Sequence, residues 1–154
     1  MALKYTKKTI DNFLHPKNIG KIRKADAEAT VGNVVCGDQL SFSLKVVKGR
    51  IKDIKFLSFG CASNIATASV ITEKVKGLTL EEAKKYPWQN VIKELGSLPQ
   101  QKVHCSILAA EGVQAVIDQY EKNLNKEIKK VMAKDKVKKV VKKKVVKKKV
   151  VKKK

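Results

Sequence analysis

The alternation of apolar and polar side chains changes period along this chain, and the changes mark out its elements. Between residues 3 and 14, apolar side chains at Ile10, Phe13 and Leu14 recur at helical spacing. Pro16 disfavours helix at His15 and Gly20 marks a turn, so that helix stops there. Residues 21–30 are polar and read as loop. Three strands follow. Residues 29–35 are short and rich in β-branched side chains. Gln39–Val47 places Leu40, Phe42, Leu44 and Val46 on one face and Ser41, Ser43 and Lys45 on the other. Residues 51–59 continue the alternation through Ile54, Phe56 and Ser58, after a tight hairpin connection at Lys48-Gly49-Arg50.

Beyond Gly60-Cys61 the period becomes helical. Residues 62–76 carry Ile65, Ala68, Ser69, Thr72 and Val75 along one side, and Gly77 is the stop. Thr79-Leu80-Glu81-Glu82 is a capping box that opens a short helix ended by Pro87. Residues 88–95 predict another short helix, closed by Gly96. A last helix runs from Cys105 through Leu108, Val113, Val116, Ile117 and Tyr120 to about Met132. Helix, three-stranded meander, then helices describes an α+β layered domain: a small antiparallel sheet packed with helices.

Charge divides the chain differently from hydropathy. Of the formal net charge of +21, residues 126–154 hold +14, from sixteen lysines against Glu127 and Asp135. We therefore divide the chain into a domain over residues 1–125 and a lysine/valine-rich tail over 126–154, the end of the last helix followed by disorder. Residues 136–154 contain only lysine and valine, settling into a repeat of five. On a helix each valine pair advances by about 140°, so no continuous apolar stripe forms there. Polylysine attracts phosphate without sequence specificity, but no aromatic side chains interleave to stack on bases. Nucleic acid is expected only as a non-specific partner of the tail. No stretch approaches the ~20 apolar residues of a membrane span, and the start has neither a signal peptide's apolar run nor an arginine-rich transit segment. The chain reads as cytoplasmic, with no membrane partner.

The chemistry concentrates in three cysteines, an odd count that speaks against a disulfide framework. Each lies at an element boundary among small residues: Cys36-Gly37-Asp38, Gly60-Cys61-Ala62 and His104-Cys105-Ser106. Cys61 and Cys105 open predicted helices, whose unpaired N–H groups favour thiolate. In a meander, the turn after the first strand and the end of the third meet at one edge of the sheet, which makes Cys36 and Cys61 neighbours. Asp38 can point to the same side, and His104 and Cys105 complete a pocket if the last helix docks there. Three thiolates with one oxygen or nitrogen suit a [2Fe–2S] cluster or zinc. A carboxylate or imidazole in place of a fourth thiolate makes a cluster easier to release. The plainer role for Asp38 is that of a turn residue. A cysteine hydrolase is the enzymatic rival, but adjacent helical positions diverge by about 100°, which misplaces His104 as the base for Cys105.

These motifs resemble those of the IscU/NifU-type iron–sulfur cluster assembly scaffolds over roughly residues 5–122. The resemblance rests on Tyr5-Thr6-Lys7-Lys8-Thr9-Ile10-Asp11, on His15-Pro16-Lys17-Asn18-Ile19-Gly20, and on the three cysteine motifs in order, the last continuing to Ile107-Leu108-Ala109. It implies an α/β sandwich with the site at one exposed end, acting as a scaffold and not as a turnover enzyme. It implies a labile [2Fe–2S] cluster built from ferrous iron, with zinc able to occupy the apo site. The implied partners are a cysteine desulfurase, iron and electron donors such as ferredoxin, and apo iron–sulfur acceptors, with the scaffold itself a monomer or weak dimer. By position, Cys105 corresponds to the persulfide acceptor and Cys36 and Cys61 to cluster ligands. Asp38 corresponds to the residue promoting release, His104 to a fourth ligand or tuning neighbour, and Tyr5 to a tyrosine tied to persulfide handling. Relatives served by an Hsp70-type chaperone carry Leu-Pro-Pro-Val-Lys, where this chain has Leu98-Pro99-Gln100-Gln101-Lys102. Pro99 and Lys102 are kept, but chaperone recognition is not carried over. A zinc-only sulfur acceptor is the alternative within the family.

Overall fold

A computed structural model describes the backbone of residues 4–151 and the side chains as far as Val137. The element order is helix α1 (Lys7–Leu14), strands β1 (Ala27–Gly32), β2 (Gln39–Val47) and β3 (Arg50–Phe59), then helices α2 (Ala62–Val75), α3 (Leu80–Lys84), α4 (Trp88–Leu95) and α5 (Val103–Val151). A turn of 3₁₀ helix, Gln100–Lys102, leads into α5. The strands form an antiparallel meander in the order β1-β2-β3, as the alternation of apolar residues predicts. By contact clustering the chain divides into two units, residues 1–120 and 121–154.

The inward face of the sheet carries Leu40, Phe42, Leu44, Ile51, Ile54 and Phe56, all at most 1% exposed. Ile51 and Ile54 both point inward because Val46 pairs with Ile51 while Lys45 pairs with Asp53. The extra residue, Lys52, makes a bulge that resets the alternation. Against this face pack Ile71 and Val75 of α2, Val91 and Leu95 of α4, and Val113 and Ile117 of α5. Gly112 lets α5 approach: a Cβ there would lie 2.2 Å from the Phe42 ring. That contact admits no side chain.

Three sequence expectations are corrected. α2 is buried nearly all round, including Ser63, Asn64, Thr67 and Ser69, and not along one side. Its small residues let neighbours close in, and its hydroxyls bond locally, as Thr72 Oγ1 does to the Ala68 carbonyl at 2.7 Å. In α1 the apolar residues Ile10, Phe13 and Leu14 are exposed and Thr9 is buried. The helix is held instead by polar contacts such as Ser69 Oγ donating to Asn12 Oδ1 at 2.9 Å. Finally, α5 continues past Met132 to Val151, through the lysine–valine repeat. Lysine is a good helix former, and a helix already nucleated extends one hydrogen bond per residue added.

Candidate functional site

The cysteines reach one end of the sheet by three routes. Cys36 sits on the turn between β1 and β2, which Asn33 organises. Asn33 Oδ1 accepts from the Val35 N–H at 2.9 Å, its carbonyl accepts from the Gly37 N–H at 2.8 Å, and its own N–H donates to the Asp38 carbonyl at 2.9 Å. Gly37 takes φ +73°, the left-handed conformation that closes the turn. Cys36 is exposed, beside Val34 and Val35 at 99% and 92% exposure. Asp38, by contrast, is 5% exposed.

Cys61 is the N-cap of α2, and Cys105 lies in the first turn of α5. Their sulfurs are 3.9 Å apart. Asp38 Oδ2 lies 3.8 Å from each of them, and 3.8 Å from His104 Nε2. His104 Nε2 is 3.7 Å from Cys105 Sγ. The divergence of adjacent helical positions therefore does not separate His104 from Cys105, because the long imidazole reaches back round the turn. Asp38, Cys61 and Cys105 form one group with ligand atoms mutually within 4.8 Å; Cys36, Asp38 and His104 form another. Asp38 belongs to both.

The half-buried Cys61 and the buried Cys105 share one proton unevenly. The hydrogen bond from Cys105 brings the Cys61 thiol from 9.0 down to about 5, helped by the Asn64 backbone N–H and by Lys102 against burial and Asp38. The same hydrogen bond, then burial and the charges of Cys61 and Asp38, pushes the Cys105 thiol up. Cys61 is thus the thiolate and Cys105, wholly buried, the thiol. Lys102 is held above its ordinary value: partial burial works the other way, and is outweighed by the charge and hydrogen bond of Cys61 and by the charges of Tyr5 and Cys105. Lys102 and Tyr5 therefore belong to the surroundings of Cys61.

Asn64, Gly60 and Thr67 support the site, and of these Asn64 and Thr67 have no signal in the cysteine motifs. Asn64 is fully buried and donates from Nδ2 to the Ser58 hydroxyl at 3.0 Å and to the Gln39 carbonyl at 3.3 Å, tying the start of α2 to β2 and β3. Gly60 makes room for the carboxylate, since a Cβ there would lie 2.7 Å from both Asp38 Oδ1 and Asn64 Nδ2. The glycine before Cys61 was the signal available for that close approach. Thr67 Oγ1, buried under the site, lies 3.0 Å from the Asn64 carbonyl and 3.3 Å from the Cys105 carbonyl, so one hydroxyl spans the starts of α2 and α5.

Residues 4–128 match the family described as NifU-like N terminal domain. The chain is 51% identical over 120 residues to a protein of Archaeoglobus fulgidus named iron-sulfur cluster assembly scaffold protein IscU 1, an alignment covering 77% of this chain and 78% of that one. It is 43% identical over 121 residues to the iron-sulfur cluster assembly scaffold protein IscU of Haemophilus influenzae, covering 76% and 95%. Among solved structures, the N-terminal part of a NifU-like protein from Brucella abortus superposes with a TM-score of 0.62 at 24% identity, over 76% of this chain and 94% of that one. That likeness is one of fold.

Proposed function

The chain belongs to the NifU-like N-terminal domain family, and from that premise we propose that it is a scaffold on which an iron–sulfur cluster is assembled and then passed on. The observation that carries this reading is the pair of ligand groups joined at Asp38. A [2Fe–2S] cluster needs two terminal ligands on each iron. Cys61 and Cys105 supply one pair; Cys36 with Asp38 or His104 supplies the other. An oxygen or imidazole nitrogen on one iron is a softer hold than thiolate, and Cys36 rides on an exposed turn, so that side is the one from which the cluster leaves. The cluster is cargo, and the chain itself turns nothing over.

Iron enters as ferrous ion and sulfur as the persulfide of a cysteine desulfurase. A thiolate of the scaffold attacks the outer sulfur, a new S–S bond forms, and the desulfurase thiolate leaves. Each transferred sulfur then takes two electrons to become sulfide; for an oxidised [2Fe–2S] cluster half of these come from the ferrous ions, which become ferric, and the other half from a ferredoxin-like donor. Cys105 is the acceptor in this proposal. Its thiol must first give its proton to Cys61, 3.9 Å away, and the first turn of α5 must open to expose it. Lys102 steadies the negative charge that this exchange moves about. Apo iron–sulfur proteins receive the product.

One observation favours zinc as an occupant of the same residues. A tetrahedral zinc with Zn–S bonds of about 2.3 Å has ligand–ligand edges of about 3.8 Å; the three edges of the Asp38, Cys61 and Cys105 group are 3.8–3.9 Å, and His104 lies 3.7–3.8 Å from Cys105 and Asp38, needing only to turn toward Cys61 to close the cage. Cys36 is not needed for that cage. The deciding experiment is anaerobic: ferrous iron, cysteine and a desulfurase are added and the visible spectrum followed. Charge-transfer bands that grow, then disappear on adding apo-ferredoxin, support the scaffold. A colourless protein that rebinds only zinc, after zinc is stripped and iron supplied, replaces it with the zinc reading.

A further inference from the structure

Residues 121–154 form a unit that, as far as Val137, exposes apolar side chains along one face of its helix. Leu124, Ile128, Val131 and Met132 are 42%, 44%, 58% and 61% exposed. At 100° per residue they fall within an arc of about 100° along the helix. Lys122, Lys126, Lys129, Lys130, Lys134 and Lys136, all exposed, fall in an arc of about 160° on the other side. Asp135 enters the apolar sector one turn later and ends the stripe. Residues 136–154 then add twelve lysines and no acidic residue.

An exposed apolar stripe needs an occupant, and charge selects among them. A second copy of the same helix would bring two segments of +14 together, which repel. A nucleic acid duplex satisfies the lysines but leaves the apolar stripe in water. A bilayer rich in anionic lipid satisfies both. The stripe enters the boundary between headgroups and acyl chains, the flanking lysines meet the headgroup phosphates and carboxylates, and the polybasic run supplies a second, electrostatic hold. No helix among the described residues is long and apolar enough to cross a membrane, so the arrangement is one that lies on the surface.

We propose that residues 122–154 are an interfacial anchor that holds this protein on an anionic lipid surface. The inference stands on the exposed stripe and the lysine run, independently of what the cysteine site carries.

The test is sedimentation of the full chain with vesicles of phosphatidylcholine, with and without phosphatidylserine, alongside titration of a mixed-sequence DNA duplex. The chain should bind the phosphatidylserine vesicles and not the neutral ones. Replacing the stripe by glutamine (L124Q, I128Q, V131Q and M132Q together, every lysine kept) should weaken vesicle binding by at least about tenfold near 0.15 M salt, leaving residual binding that salt abolishes. The same variant should bind the duplex unchanged. Vesicle binding unaltered by the glutamines, or no preference for phosphatidylserine over neutral lipid, overturns the proposal. A duplex bound more tightly than the anionic vesicles at that salt also overturns it, in favour of a nucleic-acid tether. The substituted positions are all solvent-exposed, so the folded domain is a control that should keep its metal content.

Discussion

The two halves of the cysteine site are built on opposite terms. On one side Cys61 and Cys105 sit at the starts of two helices, one half-buried and the other buried, with their sulfurs 3.9 Å apart. On the other, Cys36 hangs from a turn held by the backbone of Asn33, with exposed valines for neighbours. The first half fixes a geometry before anything binds, and the second adapts afterwards. Asp38 is the hinge between them, buried like Cys105 but carried on the turn of the second half. A scaffold that must hold a cluster and also surrender it gains from this asymmetry, because a site rigid on every side would release its cargo slowly. Preorganisation lowers the cost of binding, and a compliant edge leaves a route out.

The largest expected effect separates the halves outright. Cys61→Ser or Cys105→Ser should weaken zinc binding by at least about 100-fold, since each removes a ligand from the compact cage. Cys36→Ser should leave zinc affinity within about tenfold yet abolish the visible bands of a reconstituted cluster. Equal losses at all three positions by competition titration would dissolve the distinction. Next comes Gly60→Ala. Its Cβ would meet Asp38 and Asn64 at 2.7 Å, so metal affinity should fall roughly 10- to 100-fold while the chain still folds, as read by paired metal titration and circular dichroism.

Asp38→Ala tests the hinge. Transfer of the cluster to an apo-ferredoxin should slow by roughly tenfold, because His104, in the same group, then takes the place of the weak oxygen ligand and holds that iron more firmly. An unchanged transfer rate would remove Asp38 from release. A pH profile then sharpens the difference between the sulfurs of Cys61 and Cys105. A thiol lowered to about 5 is thiolate at every pH well above that value, so iodoacetamide should label Cys61 at a rate flat from about pH 6 to 8 and falling only below. Glutathione in the same tube should speed up roughly tenfold per pH unit. Cys105, pushed the other way and buried, should stay unlabelled until the protein unfolds. The smallest effect lies away from both halves. Thr79→Ala removes the α3 capping box and should cost about 1 kcal/mol in urea denaturation without altering metal content.

Much of this was legible in the sequence for identifiable reasons. The alternation Leu40, Phe42, Leu44 fixes which face of β2 is buried, and Thr79 with Glu82 gives the cap of α3. The small residues around each cysteine mark the turns and helix starts on which they sit. What was not legible depends on partners distant in the chain. Nothing in the α1 pattern says that Thr9 is buried and Ile10 exposed, because the surface it docks on is a polar stretch of α2 more than fifty residues away. Nothing local shows the bulge at Lys52, which appears only when β3 is paired with β2. Nor does the spacing of Cys61 and Cys105 reveal which one keeps the proton. That follows first from the hydrogen bond between the two sulfurs, then from the deeper burial of Cys105, with Lys102 beside Cys61 adding a little.

The hydroxyl of Thr67 has a consequence for how such a site can be remodelled. By touching the carbonyls of both Asn64 and Cys105, it sets the distance between two helix starts with a strut of a single side chain. The chain between those starts buries Val91 and Leu95 of α4 in the core, but Gly96 and Ser97 after it are exposed. An engineer could splice a recognition loop in there and expect the thiol pair to keep its spacing for as long as the strut stands.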